Sequence, residues 1–168
     1  MTEIFPQHIV DLSRQVLAEA RARHLKIGTA ESCTGGLVAG ALTDIPGSSD
    51  VFERGFSTYS YEAKKDVLGV SSELLVQFGA VSTECARAMA EGVIAVAPVQ
   101  VSVAITGIAG PDGGSREKPT GLVHFAAASL NGPTVTIEKR FGEIGRGSVR
   151  MASVETALGL LLKVIRSA

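Results

Sequence analysis

Lys26-Ile27-Gly28-Thr29-Ala30, running straight into Glu31-Ser32-Cys33-Thr34-Gly35-Gly36, decides how this chain folds. Residues 26–30 have the character of a short buried strand, and paired glycines then open a small-residue helix over residues 35–43. A strand that passes directly into a helix presents the intervening side chains at the carboxyl edge of a sheet. That edge is where open α/β folds bind ligands. The first N–H groups of such a helix have no intrahelical acceptors, so they can hold a phosphate or a developing oxyanion.

Helical and strand periods alternate on either side of this stretch. Residues 8–25 carry Ile9, Leu12, Val16, Leu17 and Ala20 at helical spacing. Ile45-Pro46-Gly47-Ser48-Ser49 is a turn, and residues 51–60 have strand composition. Residues 71–78 form a short helix capped by Ser71 and ended by Gly79, and residues 83–96 form a longer one. Residues 101–106 are a buried strand and residues 107–120 a Gly/Pro-rich loop. Residues 121–130 and 134–141 are two strands joined by Asn131-Gly132, a hairpin signal. Residues 147–165 close the chain as a helix with Met151, Val154, Leu158, Leu161, Leu162 and Ile165 on one face. Helices between the early strands favour a parallel sheet covered on both faces, and the hairpin adds an antiparallel pair. The expected fold is a three-layer α/β/α sandwich with a mixed, mostly parallel sheet, formed by residues 1–168 as one domain.

Composition sets the remaining bounds. With 45% hydrophobic residues, no Trp and 5% aromatics, the core must be built from Val, Ile, Leu and Ala. A net charge of −1 without a basic stripe argues against nucleic acid as a partner. Residues 1–6 lack the basic and apolar regions of an export signal, and the longest apolar runs are too short to span a bilayer. Two cysteines make no disulfide framework, and three histidines make a zinc site improbable. The expectation is a cytoplasmic protein without a metal or membrane partner. Apolar positions on the last helix leave room for a homo-oligomer.

Ser32 is a candidate nucleophile beside a preformed oxyanion site; the plainer reading from spacing, since caps greatly outnumber nucleophiles, is that Ser32 or Thr34 caps the helix. Cys33 competes as nucleophile, against the plainer reading of a small buried residue. Glu31 either orients a base, binds a substrate group or favours the helix N-terminus by its charge. No Ser-His-Asp set is suggested by His8, His24 or His124. A desolvated lysine can serve as base instead. Lys64 and Lys65 both follow Tyr59, and spacing does not choose between them. The loop through Thr106, Gly107, Gly110, Gly113 and Gly114 can form an anion-binding concavity, though it has neither the P-loop nor the dinucleotide pattern. Arg146 and Arg150 would neutralise a phosphate there or form surface ion pairs.

Three segments together resemble one family. They are Thr29-Ala30-Glu31-Ser32-Cys33-Thr34-Gly35-Gly36; Phe52-Glu53-Arg54-Gly55-Phe56 with Thr58-Tyr59-Ser60 and Glu62-Ala63-Lys64; and Ser102-Val103-Ala104-Ile105-Thr106-Gly107-Ile108-Ala109-Gly110-Pro111-Asp112-Gly113-Gly114. Over nearly its whole length the chain resembles the CinA C-terminal domain family, whose enzymatic members are nicotinamide-nucleotide amidohydrolases. The resemblance implies an α/β/α sandwich and hydrolysis of the carboxamide of nicotinamide mononucleotide without a cofactor. It implies Ser32, Tyr59 and Lys64 as catalytic residues, which selects Lys64 over Lys65. Glu31, Cys33, Thr34, Gly35, Gly36, Thr106, Gly107, Gly110, Gly113, Gly114 and Arg146 would surround the substrate. Tyr61 departs from the Asn often found in the family. Two alternatives are a non-catalytic nucleotide-binding module tied to competence or DNA damage, and an amidase for another pyridine amide.

Overall fold

The computed structural model describes residues 4–168. Residues 1–3 lie outside the described residues, and with them half of the stretch read for an export signal. The elements are α1 (Gln7–Ala22), β1 (Ile27–Glu31), α2 (Leu37–Thr43), β2 (Phe52–Ser57), α3 (Tyr61–Leu68), α4 (Ser72–Phe78), α5 (Thr83–Val96), β3 (Val101–Gly107), β4 (Leu122–Ser129), β5 (Val135–Arg140) and α6 (Arg146–Ser167). The strands form one sheet in the order β2-β1-β3-β4-β5. β1 pairs in parallel with β2 and β3, whereas β4 is antiparallel to both β3 and β5. β4 alone therefore opposes the common direction, and the sheet is mixed and mostly parallel.

Alternation along the strands sorts the side chains by size. Val101, Val103 and Ile105 of β3, with Val123 and Phe125 of β4, join the core made with α1, α2 and α6. Ala104, Ala126 and Ala128, with Ala30 of β1, join the core made with α3, α4 and α5. Small side chains on that second face let α5 lie close to the sheet. A Cβ at Gly28 would stand 2.5 Å from Val93 Cγ1. Ser102 Oγ donates to the Ala90 carbonyl oxygen at 2.7 Å. The result is a three-layer α/β/α sandwich. Val154, Leu158, Leu161, Leu162 and Ile165 of α6 are buried within the chain's own core. Met151, the first apolar residue of that face, is half-buried. Among the described residues no helix is long and apolar enough to cross a membrane.

Most boundaries shift by a residue or two and α1 ends three residues early, at Ala22; two differences shape the site. The helix expected from residue 35 starts at Leu37, because Gly35 and Gly36 adopt left-handed φ values of 60° and 104°. The strand expected to run to residue 60 ends at Ser57. Ser60 then caps α3, its Oγ accepting from the Ala63 N–H at 3.0 Å. That cap starts α3 and puts Lys64 in its first turn and a half.

Candidate active site

The chain leaves β1 for β2 on one side and returns as β3 on the other, so a crevice opens at the carboxyl ends of β1 and β3. Ser32 sits at its mouth. Its N–H extends the β1–β3 ladder by one bond, to the Ile105 carbonyl oxygen at 3.0 Å. The crevice is a cavity of about 270 Å³, toward the small end of ligand sites. Of the residues singled out in the sequence, Ser32, Cys33, Tyr59, Lys64, Thr106, Gly107, Gly110, Gly113 and Arg146 line it. Glu31, Thr34, Gly35, Gly36 and Gly114 do not.

Lys64 reaches the cavity from α3, and its side chain is 1% exposed. Nζ donates to the Thr58 carbonyl oxygen at 2.7 Å and lies 3.1 Å from Ser32 Oγ. Among the described residues it has no carboxylate partner. Burial holds its amine below the ordinary lysine range. Lys65, one position along the helix, does not line the cavity. Tyr59 is exposed, and its hydroxyl accepts from Arg146 Nη2 at 3.3 Å. Burial pushes the Cys33 thiol up to about 11, so it stays protonated near neutrality and makes a poor nucleophile. His124 is committed elsewhere, with Nδ1 3.1 Å from Thr83 Oγ1.

Glu31 is 1% exposed and carries the turn rather than the cavity. Its Oε2 accepts from Thr34 Oγ1 at 2.6 Å, Gly36 N–H at 3.1 Å and Val38 N–H at 3.0 Å. Its Oε1 accepts from Ala39 N–H at 2.9 Å. The first free N–H groups of α2 are thus occupied from within, which removes them as an anion site. The N–H groups of Cys33 and Thr34 are different: neither has an acceptor among the described residues. Glu31→Gln would set an amide NH₂ against at least one of the four donors that Glu31 accepts from. We expect a loss of about 2–4 kcal/mol in urea unfolding. A change within about 0.5 kcal/mol, the scatter of ordinary surface substitutions, would contradict this account of the turn.

The glycine loop is anchored by Ile108 N–H to Leu122 O at 2.9 Å and Gly121 N–H to Ile108 O at 2.8 Å. Between these anchors the N–H groups of Ala109, Gly110 and Gly113 have no acceptor among the described residues. They border the cavity. Gly107 is also demanded by packing, since a Cβ there would lie 2.7 Å from Val123 Cγ2. Thr106 turns its hydroxyl to the Ala80 carbonyl oxygen at 2.8 Å. Arg146 donates to the Gly110 carbonyl oxygen at 2.8 Å and stands at the start of α6.

The family model of the CinA C-terminal domain matches residues 9–165. The chain belongs to the CinA C-terminal domain family. Among curated members, it is 46% identical over 156 residues to the nicotinamide-nucleotide amidohydrolase PncC of Enterobacter agglomerans, covering 91% of this chain and 95% of that protein. To the PncC of Escherichia coli K12 it is 48% identical over 153 residues, covering 91% and 92%. The crystal structure of the competence/damage inducible protein CihA from Agrobacterium tumefaciens superposes with a TM-score of 0.95 at 50% identity, covering 96% of this chain and 98% of that one. The CinA domain also occurs inside longer proteins. A CinA-like protein of Syntrophobacter fumaroxidans is 49% identical over 154 residues, which is 36% of its length.

Two contacts of this CinA domain were not legible beforehand. Arg150, read as a phosphate ligand or a surface ion pair, instead donates from Nε to Cys33 O at 3.0 Å and from Nη2 to Thr34 O at 3.2 Å. Its spacing of one helical turn from Arg146 was the available signal. Tyr61 accepts through its hydroxyl from the Ala80 N–H at 3.3 Å. Ala80 and Val81 form a cavity wall that no motif marks.

Proposed function

We propose that this chain hydrolyses the carboxamide of nicotinamide mononucleotide to nicotinic acid mononucleotide and ammonia, through an acyl group carried on Ser32. The amidase activity is supported by the PncC relatives matched over nearly their full lengths. The covalent route rests on one observation: a buried amine without a carboxylate partner, 3.1 Å from a serine hydroxyl at the mouth of a cavity.

With Lys64 neutral, one N–H is held by the Thr58 carbonyl and the lone pair accepts the Ser32 proton. Oγ attacks the carboxamide carbon, whose reactivity the cationic pyridinium ring raises. The free N–H groups of Cys33 and Thr34 receive the oxyanion, each such donor being worth about 3 kcal/mol. Lys64 returns the proton to the departing nitrogen, the C–N bond breaks and ammonia leaves. Water then attacks the nicotinyl ester, its proton passing through Lys64 to Ser32 Oγ. Direct contact makes Lys64 the shorter proton route than a relay through Tyr59. The Tyr59 hydroxyl, already accepting from Arg146, keeps its own proton for the substrate. Arg146 and the loop N–H groups, which line the same cavity, would hold the ribose phosphate.

Ammonia release from nicotinamide mononucleotide and from free nicotinamide tests the substrate, and mass spectrometry of acid-quenched enzyme tests the nicotinyl adduct on Ser32. Arg146→Ala is expected to raise KM for the nucleotide about tenfold, the effect of one charge-assisted hydrogen bond, and to affect turnover of free nicotinamide less. Equal turnover of both compounds would remove the nucleotide from the proposal.

A further inference from the structure

We infer that Arg150 is a positioning residue for the oxyanion site, acting through the peptide groups that follow Ser32. This rests on the reading of Ser32 as the acylated residue. The two unpartnered N–H groups belong to the peptide units 32–33 and 33–34, and both units have their carbonyl oxygens occupied. Ser32 O accepts from the Gly35 N–H at 3.0 Å. Cys33 O accepts from Arg150 Nε at 3.0 Å. In a trans peptide the C=O and N–H point in opposite directions. A guanidinium holding Cys33 O therefore turns the Thr34 N–H away from itself, and its charge polarises that same N–H. Hydrogen-bonded chains strengthen one another in this way at low dielectric.

The rest of the turn is built to keep this arrangement. Arg150 Nη2 also holds Thr34 O at 3.2 Å, so one planar fork fixes two successive carbonyls. Gly35 follows with φ of 60°, and a Cβ there would stand 3.4 Å from Arg150 Nη2. Among the described residues Arg150 makes no ion pair. Its guanidinium is held by the two carbonyls rather than by a carboxylate, and the buried Glu31 carboxylate of the same turn is bound by its own hydroxyl and N–H donors. Arg150 does not line the cavity. Its effect should appear only when the carbonyl oxygen becomes negative, and hence in kcat rather than KM.

The test compares the wild-type chain with Arg150→Met, Arg150→Gln and Arg150→Lys on nicotinamide mononucleotide. Arg150→Met is expected to lower kcat on the order of tenfold to a hundredfold with KM within about twofold, since a whole oxyanion donor is worth more than its polarisation. Arg150→Lys should recover part of the loss, and Arg150→Gln less, because only lysine restores the charge. Added guanidinium should raise kcat of Arg150→Met. If Arg150→Met does not fold, lysine against glutamine at equal melting temperature decides. Equal kcat in those two, or a raised KM with kcat intact, overturns the role of Arg150 while leaving the Ser32 reading standing. A wild-type chain that releases no ammonia and forms no adduct removes the amidase reading, and this inference with it.

Discussion

Ser32→Ala is expected to abolish ammonia release from nicotinamide mononucleotide, by a factor of about 10⁴ to 10⁶, while the protein folds normally and binds substrate with unchanged affinity. The size of the loss follows from what remains. Without Oγ no acyl group forms, and the residual rate comes from the oxyanion donors and from Lys64 acting on water. The fold should be indifferent to the change. Ser32 is fixed by its backbone N–H to Ile105, which alanine keeps, and Lys64 retains its bond to the Thr58 carbonyl. Melting temperature, substrate binding by calorimetry and ammonia release together make the check. A variant within tenfold of the wild-type rate would mean that Lys64 activates water directly and that no covalent intermediate exists.

Much of this architecture is legible in the residues themselves. The Asn131-Gly132 link, the β-branched run at residues 101–106 and the apolar face of the last helix each specify their element locally. The mixed sheet follows from them. What is not legible is anything settled by long-range contact. Glu31 looks like a site residue because it adjoins Ser32. Only the fold shows its carboxyl group turned inward onto four donors of the turn and α2. Lys64 and Lys65 are indistinguishable by spacing, since neighbours on a helix differ only in the direction they face. Burial against Thr58 and Ser32 separates them. Arg150 contacts a carbonyl more than a hundred positions away, which no local pattern encodes. Ala80 and Val81 enter the cavity wall as small residues of an inter-helix turn, without any chemistry to mark them.

Lys64→Met is expected to remove ammonia release as completely as Ser32→Ala, whereas Lys65→Ala keeps most of it. The base must be uncharged to accept the Ser32 proton. For the wild type, kcat/KM should therefore rise with pH as Lys64 loses its proton, and this limb should lie below the ordinary lysine range because burial disfavours the ammonium. Stability supplies a second, independent readout. A lysine whose folded value lies below its unfolded value carries fewer protons folded than unfolded between the two. Folding is penalised fully below that window, and the penalty fades as pH rises through it. Methionine has no such penalty at any pH. The Thr58 carbonyl loses its donor in the variant, a constant cost of about 1–3 kcal/mol that does not depend on pH. The stability of Lys64→Met relative to wild type should thus be most favourable at low pH and decline as pH rises toward the unfolded lysine value. Urea unfolding across that range measures the slope, whatever the constant offset. A flat difference would mean that Lys64 titrates alike in the folded and unfolded chain. It could not then be the desolvated amine that the Ser32 chemistry requires.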